Sequence, residues 1–316
     1  MSSTSIRRFR FSGHETFACR YAWLPKAAQA VRAYEDILTA AREDDAMVKL
    51  GVGKNMVRSI RFWAETTGTI EATEAGHRPT EFGNDLLLMD GAFDPYLEDI
   101  QTLWLLHWKL ASNQNALIFS WDYLLNRFHE SEISASRVLP AFIKAATAAD
   151  KKVTTGSLEQ LYDVFVHSYY PARGKRGEVR EDNLDCPLVE LEFLQPAGFT
   201  RSSENSERAE PKYVFRREEK SEIGAALFAY CLNDYWMNWH GTELAVPLHM
   251  ILVGHGSPGQ IFKIPEQDIR SRLLGIEEVT SGYFAFEESA AIPRVIRRAE
   301  RRAPQLAAVY CGGRMK

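Results

Sequence analysis

Apolar residues recur at helical spacing along the first part of the chain. Residues 25–41 begin with proline and predict a helix, since proline loses no backbone hydrogen bond in a first turn. A glycine break at 51–53 precedes a second helical pattern at 54–64, whose apolar positions are Met56, Val57, Ile60 and Trp63. A strand at 66–70, a polar loop at 76–79 and a short closing element at 80–88 follow. This order of elements predicts a winged helix-turn-helix.

The rest of the chain shows two further patterns. Segment 94–108 has proline in its first turn and is apolar nearly all round, which predicts a buried helix. Further helices are predicted at 116–128, 134–149 and 157–169. Beyond the strongly polar stretch 201–210, strands and helices are predicted to alternate, in the order strand 213–215, helix 221–239, strand 259–264, helix 265–274 and strand 283–286.

These elements predict an α+β, mainly helical fold. We expect an N-terminal winged helix-turn-helix region at 1–92 and a helical middle region at 93–200. A small α+β domain at 201–316 completes the chain, and a winged arrangement is one option for it.

Composition and charge narrow the functional classes. The 316 residues carry 38 Lys and Arg against 42 Asp and Glu, a formal charge of -4, so any surface for DNA must be local. The densest apolar stretch, 103–110, is too short to cross a membrane, and no apolar leader follows Met1. The four cysteines are scattered without a Cys-x-x-Cys pair, which predicts reduced, mostly buried thiols. We therefore expect a cytoplasmic protein without a membrane partner.

Two groups of basic residues are candidates for contact with DNA phosphates. Lys54, Arg58 and Arg61 share one face of the second predicted helix, and His77 with Arg78 lies in the predicted wing. The second group has three- and four-residue intervals near the C-terminus, and consists of Arg294, Arg297, Arg298, Arg301 and Arg302. The alternative for both groups is a solvated helix face, whose arginines in the second group would pair with acidic residues elsewhere.

The motif GHETF at 13–17 is the most distinctive feature of the N-terminal region. It is not the His-Glu-x-x-His motif of zinc hydrolases, because residue 18 is alanine. One interpretation makes His14 and Glu15 buried partners that fix Arg20 and the nearby aromatic residues. The other makes them a polar site beside a DNA groove, where both side chains can move protons and the carboxylate can hold a metal ion. Residue types alone favour the structural interpretation.

Several blocks of the sequence resemble a bacterial family known as domain of unknown function 4007. They are 11–17, Arg20, 23–26, 50–57, 102–108 and 185–188. The genes of that family's members accompany DNA phosphorothioation genes. One member of the family is the nickase component of Ssp-type systems. The blocks occur in the expected order from about residue 9 to about residue 300.

The resemblance implies a cytoplasmic protein that nicks or binds DNA so that partner enzymes can replace a phosphate oxygen with sulfur. The implied partners are DNA, a cysteine desulfurase, an ATP-pyrophosphatase-like sulfur transferase and an ATPase, and a homodimer is left open. Since GHETF is the polar centre of the most distinctive block, we hypothesise that His14, Glu15 and Arg20 are catalytic and that Glu15 holds Mg²⁺ or Mn²⁺. Two functions remain open: a metal-dependent DNA nickase, and a non-catalytic DNA-binding adaptor or regulator.

Overall fold

The computed structural model describes residues 9–149, 151–171, 186–201, 209–289 and 291–311. These residues form a mixed α+β structure with many helices and three small antiparallel sheets, which confirms the predicted class. They group into two compact units. Unit 1 runs to Glu98 and resumes at Asn113–Arg216, whereas unit 2 consists of Asp99–Ser112 and the residues that follow Arg216. The predicted division into three regions at 92 and 200 stays a prediction, and residues 202–208, near its second boundary, lie outside the described residues.

The helices of the described residues are numbered in chain order. They are α1 (Trp23–Ala33), α2 (Glu43–Leu50), α3 (Lys54–Thr66), α4 (Glu81–Gly83), α5 (Ile100–Ser112), α6 (Phe119–Asn126), α7 (Ala135–Ala148), α8 (Thr155–Tyr169), α9 (Ala225–Trp239), α10 (Leu248–Val253), α11 (Pro258–Phe262), α12 (Glu266–Leu274), α13 (Ile276–Val279) and α14 (Leu306–Cys311). Short helical turns of other types occupy Ala40–Arg42, Asn84–Leu88 and Pro187–Leu191.

The strands form two hairpins in unit 1 and one three-stranded sheet in unit 2. The hairpins are β1 (Ile70–Ala72) with β2 (His77–Pro79), and β3 (Leu194–Arg201) with β4 (Ala209–Phe215). The sheet of unit 2 contains β5 (Ala245–Pro247), β6 (Phe284–Glu287) and β7 (Arg294–Arg297), with β7 in the centre.

The N-terminal elements follow the predicted order only in part, because the strand begins at Ile70 rather than at 66 and the predicted loop at 76–79 contains the second strand, β2. Helix α2 ends at Leu50 and is followed by Gly51, whose φ of 68° is a left-handed conformation that glycine adopts without strain. Helix α3 and the β1–β2 hairpin come next, with Ile70 opposite Pro79 and Ala72 opposite His77. The arrangement is therefore helix, glycine turn, helix and hairpin, and its assignment as a winged helix-turn-helix stays a prediction.

Several other segments differ from the predicted elements. The helix predicted at 94–108 begins only at Ile100, and the one predicted at 221–239 begins at Ala225. Helix α1 ends at Ala33 rather than at 41, because Tyr34 is extended. The predicted strand 259–264 is largely helix α11, since Pro258 occupies a first-turn position and the Ser257 hydroxyl accepts a hydrogen bond from the Gln260 backbone N–H. The arginines at 294–297 lie on strand β7, although their spacing suggests a helix face.

Aromatic residues are the largest side chains in the core of each unit. In unit 1 the rings of Trp63 and Trp121 are 5.7 Å apart, and the Trp121 indole N–H donates to the Tyr169 hydroxyl at 2.8 Å. In unit 2 the Trp108 indole N–H donates to Asp234 Oδ2 at 2.7 Å. Indole and phenol groups that keep their hydrogen bonds in the core avoid the cost of burying an unpaired polar atom.

Two further expectations can be compared with the described residues. Three of the four free thiols are buried, as predicted, namely Cys19, Cys186 and Cys231, whereas Cys311 is exposed. Within the described ranges, no helix combines the length and the apolar character that a membrane crossing requires.

Candidate functional site

The N-terminal residues and one face of α3 line a cleft of about 530 Å³ in unit 1. We call it the N-terminal cleft. Its lining residues are Phe9, Arg10, Phe11, Ser12, Gly13, Glu15, Arg58, Arg61, Phe62 and Glu65. Guanidinium groups, carboxylates and aromatic rings therefore meet in one space, next to the GHETF motif.

Two side chains of α3 hold the GHETF loop in place. The Ser59 hydroxyl donates to the His14 carbonyl at 2.9 Å, and the Trp63 indole N–H donates to the Phe17 carbonyl at 3.0 Å. The loop also lies directly on Phe62, because a Cβ added at Gly13 would come within 2.8 Å of that ring. With a φ of 117°, Gly13 also has a backbone conformation that other residues rarely adopt. The glycine of the motif is thus required by the backbone geometry.

The next part of the loop has a strained backbone. Glu15 and Thr16 have φ values of 48° and 70°, a left-handed conformation that costs a non-glycine residue roughly 1–2 kcal/mol. The Phe17 N–H donates to the His14 carbonyl at 2.8 Å and closes the turn. Consequently, His14 is buried while Glu15 lines the cleft.

His14 is packed in the interior rather than in the cleft. Its side chain is buried, and its ring lies edge-on to Phe62 with the ring centres 5.5 Å apart. Neither ring nitrogen has a hydrogen-bond partner among the described residues. Burial lowers the pKa of His14 to about 4, so the imidazole is neutral near pH 7. Its predicted catalytic role stays a prediction, and His14 does not line the cleft.

Glu15 and Arg20 have different environments. Glu15 lines the cleft, is half-buried, and has no hydrogen bond or ion pair with a described residue. Its charge contributes to raising the pKa of Arg58, after the larger effect of the hydrogen bond between Arg58 and Glu43. The guanidinium of Arg20 instead lies over the rings of Phe17 and Trp23, at 5.9 and 5.4 Å, and Arg20 is not a lining residue. Of the three residues hypothesised to be catalytic, Glu15 alone lines the cleft.

Arg10 also lines the cleft, although its sequence context did not identify it as a candidate site residue. Its backbone is fixed by two hydrogen bonds, since the Arg10 N–H donates to the Leu117 carbonyl and the Phe119 N–H donates to the Arg10 carbonyl. Its guanidinium contacts Glu65 Oε2 at 2.5 Å and lies over the Phe62 ring at 5.7 Å. The alternation Phe9-Arg10-Phe11 directly before GHETF was the available sequence signal.

Glu65 connects the cleft to the β1–β2 hairpin. Its Oε1 is 2.8 Å from His77 Nε2, in addition to the contact with Arg10. Burial acts to raise the pKa of Glu65, but the contacts with His77 and Arg10 outweigh it and lower the pKa. His77 is thus buried against an acid, whereas Arg78 is exposed and contacts Glu71 across the hairpin at 2.8 Å.

The basic residues of α3 have internal partners as well. Glu43 contacts Arg58 Nε at 2.6 Å and Lys54 Nζ at 2.8 Å, and these two hydrogen bonds lower the pKa of Glu43 to about 2. Arg61 Nη1 donates to the Leu38 carbonyl at 3.0 Å. Arg58 and Arg61 both line the cleft, as their shared helix face predicts, while Lys54 lies outside it.

The second predicted group of arginines lies in unit 2, and three of its members, Arg294, Arg297 and Arg298, contact acidic or buried groups, whereas Arg301 and Arg302 are exposed. Arg294 Nε is 2.7 Å from Glu287 Oε2, and Arg298 Nη1 is 2.7 Å from Glu277 Oε1. Arg297 is buried over the Trp236 ring at 5.6 Å. Its Nη2 donates to the Gly241 carbonyl at 2.8 Å.

The side chains of the N-terminal cleft suit only one kind of divalent-metal coordination. The described residues contain no group of three or more histidine, cysteine or acidic side chains that could hold a metal ion. Magnesium, however, usually keeps several waters and takes only one or two carboxylates together with phosphate oxygens. Glu15 therefore fits an ion held mainly by water and by a phosphate ligand, and does not fit one enclosed by protein ligands.

Comparisons with known proteins extend this description. The sequence profile of DUF4007, a family described as a protein of unknown function, matches residues 11–310. No curated protein matches the chain. Two solved structures are similar to it. A magnesium ion-bound crystal structure of SspB is 25% identical, with 95% of this chain and 86% of that chain covered and a TM-score of 0.78. A second SspB crystal structure is 26% identical, with 92% and 85% covered and a TM-score of 0.76.

Proposed function

This chain belongs to the DUF4007 family, and we propose on that premise that it is the DNA-processing component of a bacterial phosphorothioate modification system. In this proposal it nicks one DNA strand so that partner enzymes can introduce sulfur into the backbone. The observation that carries the proposal is the structural similarity to SspB over 95% of this chain. The SspB structure in that comparison is a magnesium ion-bound one. The partners are a cysteine desulfurase, an ATP-pyrophosphatase-like sulfur transferase and an ATPase.

The N-terminal cleft is the proposed site of the reaction. Hydrolysis of a phosphodiester joins a water oxygen to phosphorus and breaks the bond to one ester oxygen, while negative charge accumulates on the other phosphate oxygens. Arg58 and Arg61 are assigned to bind those oxygens, because guanidinium groups donate several hydrogen bonds and stay charged. The Arg61–Leu38 contact orients the Arg61 guanidinium before DNA arrives, whereas Glu43 competes with DNA for Arg58.

Glu15 is assigned to the attacking water. Its carboxylate lacks an internal partner among the described residues, which supports a role in accepting the proton of that water or in holding a hydrated cation. A magnesium ion bound there would supply positive charge to the phosphate. The strained backbone at Glu15 and Thr16 supports the same assignment, since strain of this kind concentrates at functional sites.

We also propose that α2, Gly51, α3 and the β1–β2 hairpin act as a winged helix-turn-helix. The order of the elements and the basic residues of α3 support this proposal. In it, Lys54 and Arg78 extend the phosphate contacts beyond the cleft, because both are exposed and positively charged.

A non-catalytic adaptor is the second candidate function. It is favoured by one observation, namely that no described cluster of side chains is arranged to hold a metal ion without help from DNA. Such an adaptor would use the same arginines to bind DNA and would recruit the sulfur-transfer enzymes to it.

Incubation of the full-length protein with supercoiled plasmid distinguishes the two functions. If the protein is a nickase, open circles form with Mg²⁺ or Mn²⁺ and do not form with a chelator. Glu15→Gln should then reduce the nicking rate at least a hundredfold while DNA affinity and melting temperature stay near wild type. The reason is that the Glu15 carboxylate lowers the barrier of the chemical step and contributes little to DNA binding or folding. Glu159→Gln, which changes an exposed acid of α8, is the matched control.

The outcomes separate the candidates. A mobility shift without open circles would favour the adaptor. An active Glu15→Gln variant would assign the chemistry to another site. The absence of both nicking and DNA binding would contradict the proposed function.

A further inference from the structure

The N-terminal wall of the cleft carries aromatic rings that phosphate binding does not require. Phe9 and Phe11 both line the cleft and are half-buried. Phe11 stacks on Phe119 with the ring centres 4.5 Å apart and the planes 24° apart, so one of its faces is covered. Phe9 meets the same ring edge-on at 6.0 Å. The Arg127 guanidinium lies over the Phe9 ring at 5.2 Å, so part of that ring is covered as well. The remaining ring surface that lines the cleft is apolar, and aromatic surface of this kind suits a flat ligand group.

Arg10 lies between these two phenylalanines in the sequence and is already oriented. Its contact with Glu65 and its position over Phe62 fix the plane of the guanidinium. Guanidinium planes and aromatic rings are the two kinds of surface on which nucleic-acid-binding proteins stack unpaired bases. The wall formed by residues 9–11 therefore provides surfaces for a base.

Helix α3 provides the complementary chemistry on its own side of the cleft. Arg58 and Arg61 reach the cleft from α3 and supply donors for a phosphate. One wall thus suits a base and the other suits a backbone phosphate. A volume of about 530 Å³ lies within the range of pockets that hold small organic ligands, roughly 300–1,000 Å³.

A base inside a duplex cannot use these surfaces. Both of its faces are covered by neighbouring base pairs, so it becomes available for stacking on protein rings only after it has left the double helix. From the two walls and the volume of the cleft, we infer that the N-terminal cleft binds one unpaired nucleotide, with its base against Phe9, Arg10 and Phe11 and its phosphate against Arg58 and Arg61. This inference rests on the proposed DNA binding and names the form of DNA that enters the site.

Binding of matched oligonucleotides to the full-length protein tests the inference. The probes are a fluorescent single strand, the fully paired duplex of the same sequence, and a duplex with one mispaired 2-aminopurine, all without divalent metal so that no strand is cut. We expect the single strand to bind at least tenfold more tightly than the paired duplex. We also expect the fluorescence of 2-aminopurine to rise on binding, because that base leaves the stack of neighbouring DNA bases that quenches it.

Failure of the inference differs from failure of the proposed function. Equal affinity for single strand and duplex, with unchanged 2-aminopurine fluorescence, would overturn the inference and leave DNA binding in place. A lack of binding to every probe would contradict both.

Substitutions of the rings identify the wall that contacts the base. Phe9→Leu and Phe11→Leu should each weaken single-strand binding about tenfold, the loss that corresponds to one base–aromatic stack, and should leave duplex binding within twofold. Two sites are used because Phe11 also packs on Phe119, and melting temperatures show which variants keep the fold. Phe199→Leu, an exposed phenylalanine on β3, is the matched control and should change neither affinity.

Arg58→Gln serves as the contrasting variant. It removes a phosphate contact, so it should weaken binding of single strand and duplex alike. If folded Phe9→Leu and Phe11→Leu variants lower both affinities equally, or lower neither, the rings do not contact an unpaired base and the inference is wrong.

Discussion

The arginines of α3 and those of β7 have similar spacing in the sequence and different environments in the structure. On a helix, intervals of three and four residues gather side chains on one face, and Arg58 and Arg61 both line the N-terminal cleft. On a strand, side chains alternate between two faces, so Arg297 is buried while Arg294 is exposed. The same spacing therefore gives a common surface in unit 1 and a divided one in unit 2.

The partners of the two groups differ as well. Arg297 contacts a ring and a carbonyl in the interior of unit 2, and Arg294 contacts a neighbouring acid on the next strand. Arg58 also has an acidic partner, but it shares a cleft with Glu15, whose carboxylate has no hydrogen bond or ion pair with a described residue. A basic residue thus points to a ligand site when it borders a cavity, and not merely because it belongs to a basic group.

The largest expected effect concerns stability. Arg297→Ala should lower the free energy of unfolding by about 3 kcal/mol, since it leaves the Gly241 carbonyl without its donor and removes the side chain that covers Trp236. Arg58→Ala should cost much less, because its ion pair with Glu43 lies near the surface and is weakened by solvent. Denaturant titration of both variants measures the difference. Equal losses would contradict the distinction between a structural and a ligand-binding arginine.

DNA affinity provides the next contrast. Replacing Arg58 and Arg61 together by alanine should weaken duplex binding roughly fiftyfold at 0.1 M salt and flatten the slope of log affinity against log salt by about 1.8, or about 0.9 for each lost phosphate contact. The double replacement of Arg294 and Arg298 removes the same charge and should change affinity less than twofold. Similar losses for the two pairs would show that net charge, rather than the cleft, controls binding.

The buried histidine of unit 1 predicts a dependence of stability on pH. Burial lowers the pKa of His14 from 6.5 to about 4, so the unfolded chain takes up this proton more readily than the folded chain. The contribution of His14 to stability is complete above about pH 6.5 and is lost as the pH falls towards 4. At pH 5 the loss should be about 2 kcal/mol relative to pH 7. His14→Met should lack this component, and denaturant titrations at pH 7 and pH 5 test it; an identical pH dependence in the variant would refute the assignment.

The smallest predicted effect concerns Glu43, whose carboxylate forms ion pairs with two basic side chains of α3. Glu43→Gln removes the charge that contacts Lys54 and Arg58, so both become fully available to DNA phosphates. Duplex affinity should rise about three- to fivefold, since solvent-screened ion pairs compete only weakly with DNA phosphates. Glu287→Gln, which frees Arg294 in the same way, should leave affinity unchanged. A decrease for Glu43→Gln would indicate that Glu43 orients the two cations for DNA instead of competing with it.

The sequence predicted the helices better than the C-terminal sheet. Helices such as α3 and α8 have apolar residues at regular helical intervals, which burial on one face requires. Strand β7 has only four residues and is dominated by arginine, so its pattern does not distinguish a strand from a helix face. Its structure depends on pairing with β5 and β6, which are separated from each other by more than thirty residues of chain.

The cleft was predicted only in part, for a different reason. The sequence identified GHETF and the basic face of α3 as separate features. That Glu15 lines the cleft while His14 is buried depends on left-handed conformations at Glu15 and Thr16, and non-glycine residues adopt these too rarely for a sequence pattern to predict them. The position of Arg10 depends on a backbone bridge to Ile118, more than a hundred residues away.

The path of the chain between the two units has a consequence for its synthesis. Helix α5 belongs to unit 2, but about 100 residues of unit 1 separate it from the next segment of unit 2. At typical ribosomal rates, α5 waits about 5 to 20 s for the segments on which it packs. Ten of its 13 residues are buried in the folded protein, so during that interval an apolar helix lacks most of its native neighbours. Ribosomes that stall in this region would release chains with α5 uncovered, and such chains are natural clients for chaperones and prone to aggregate.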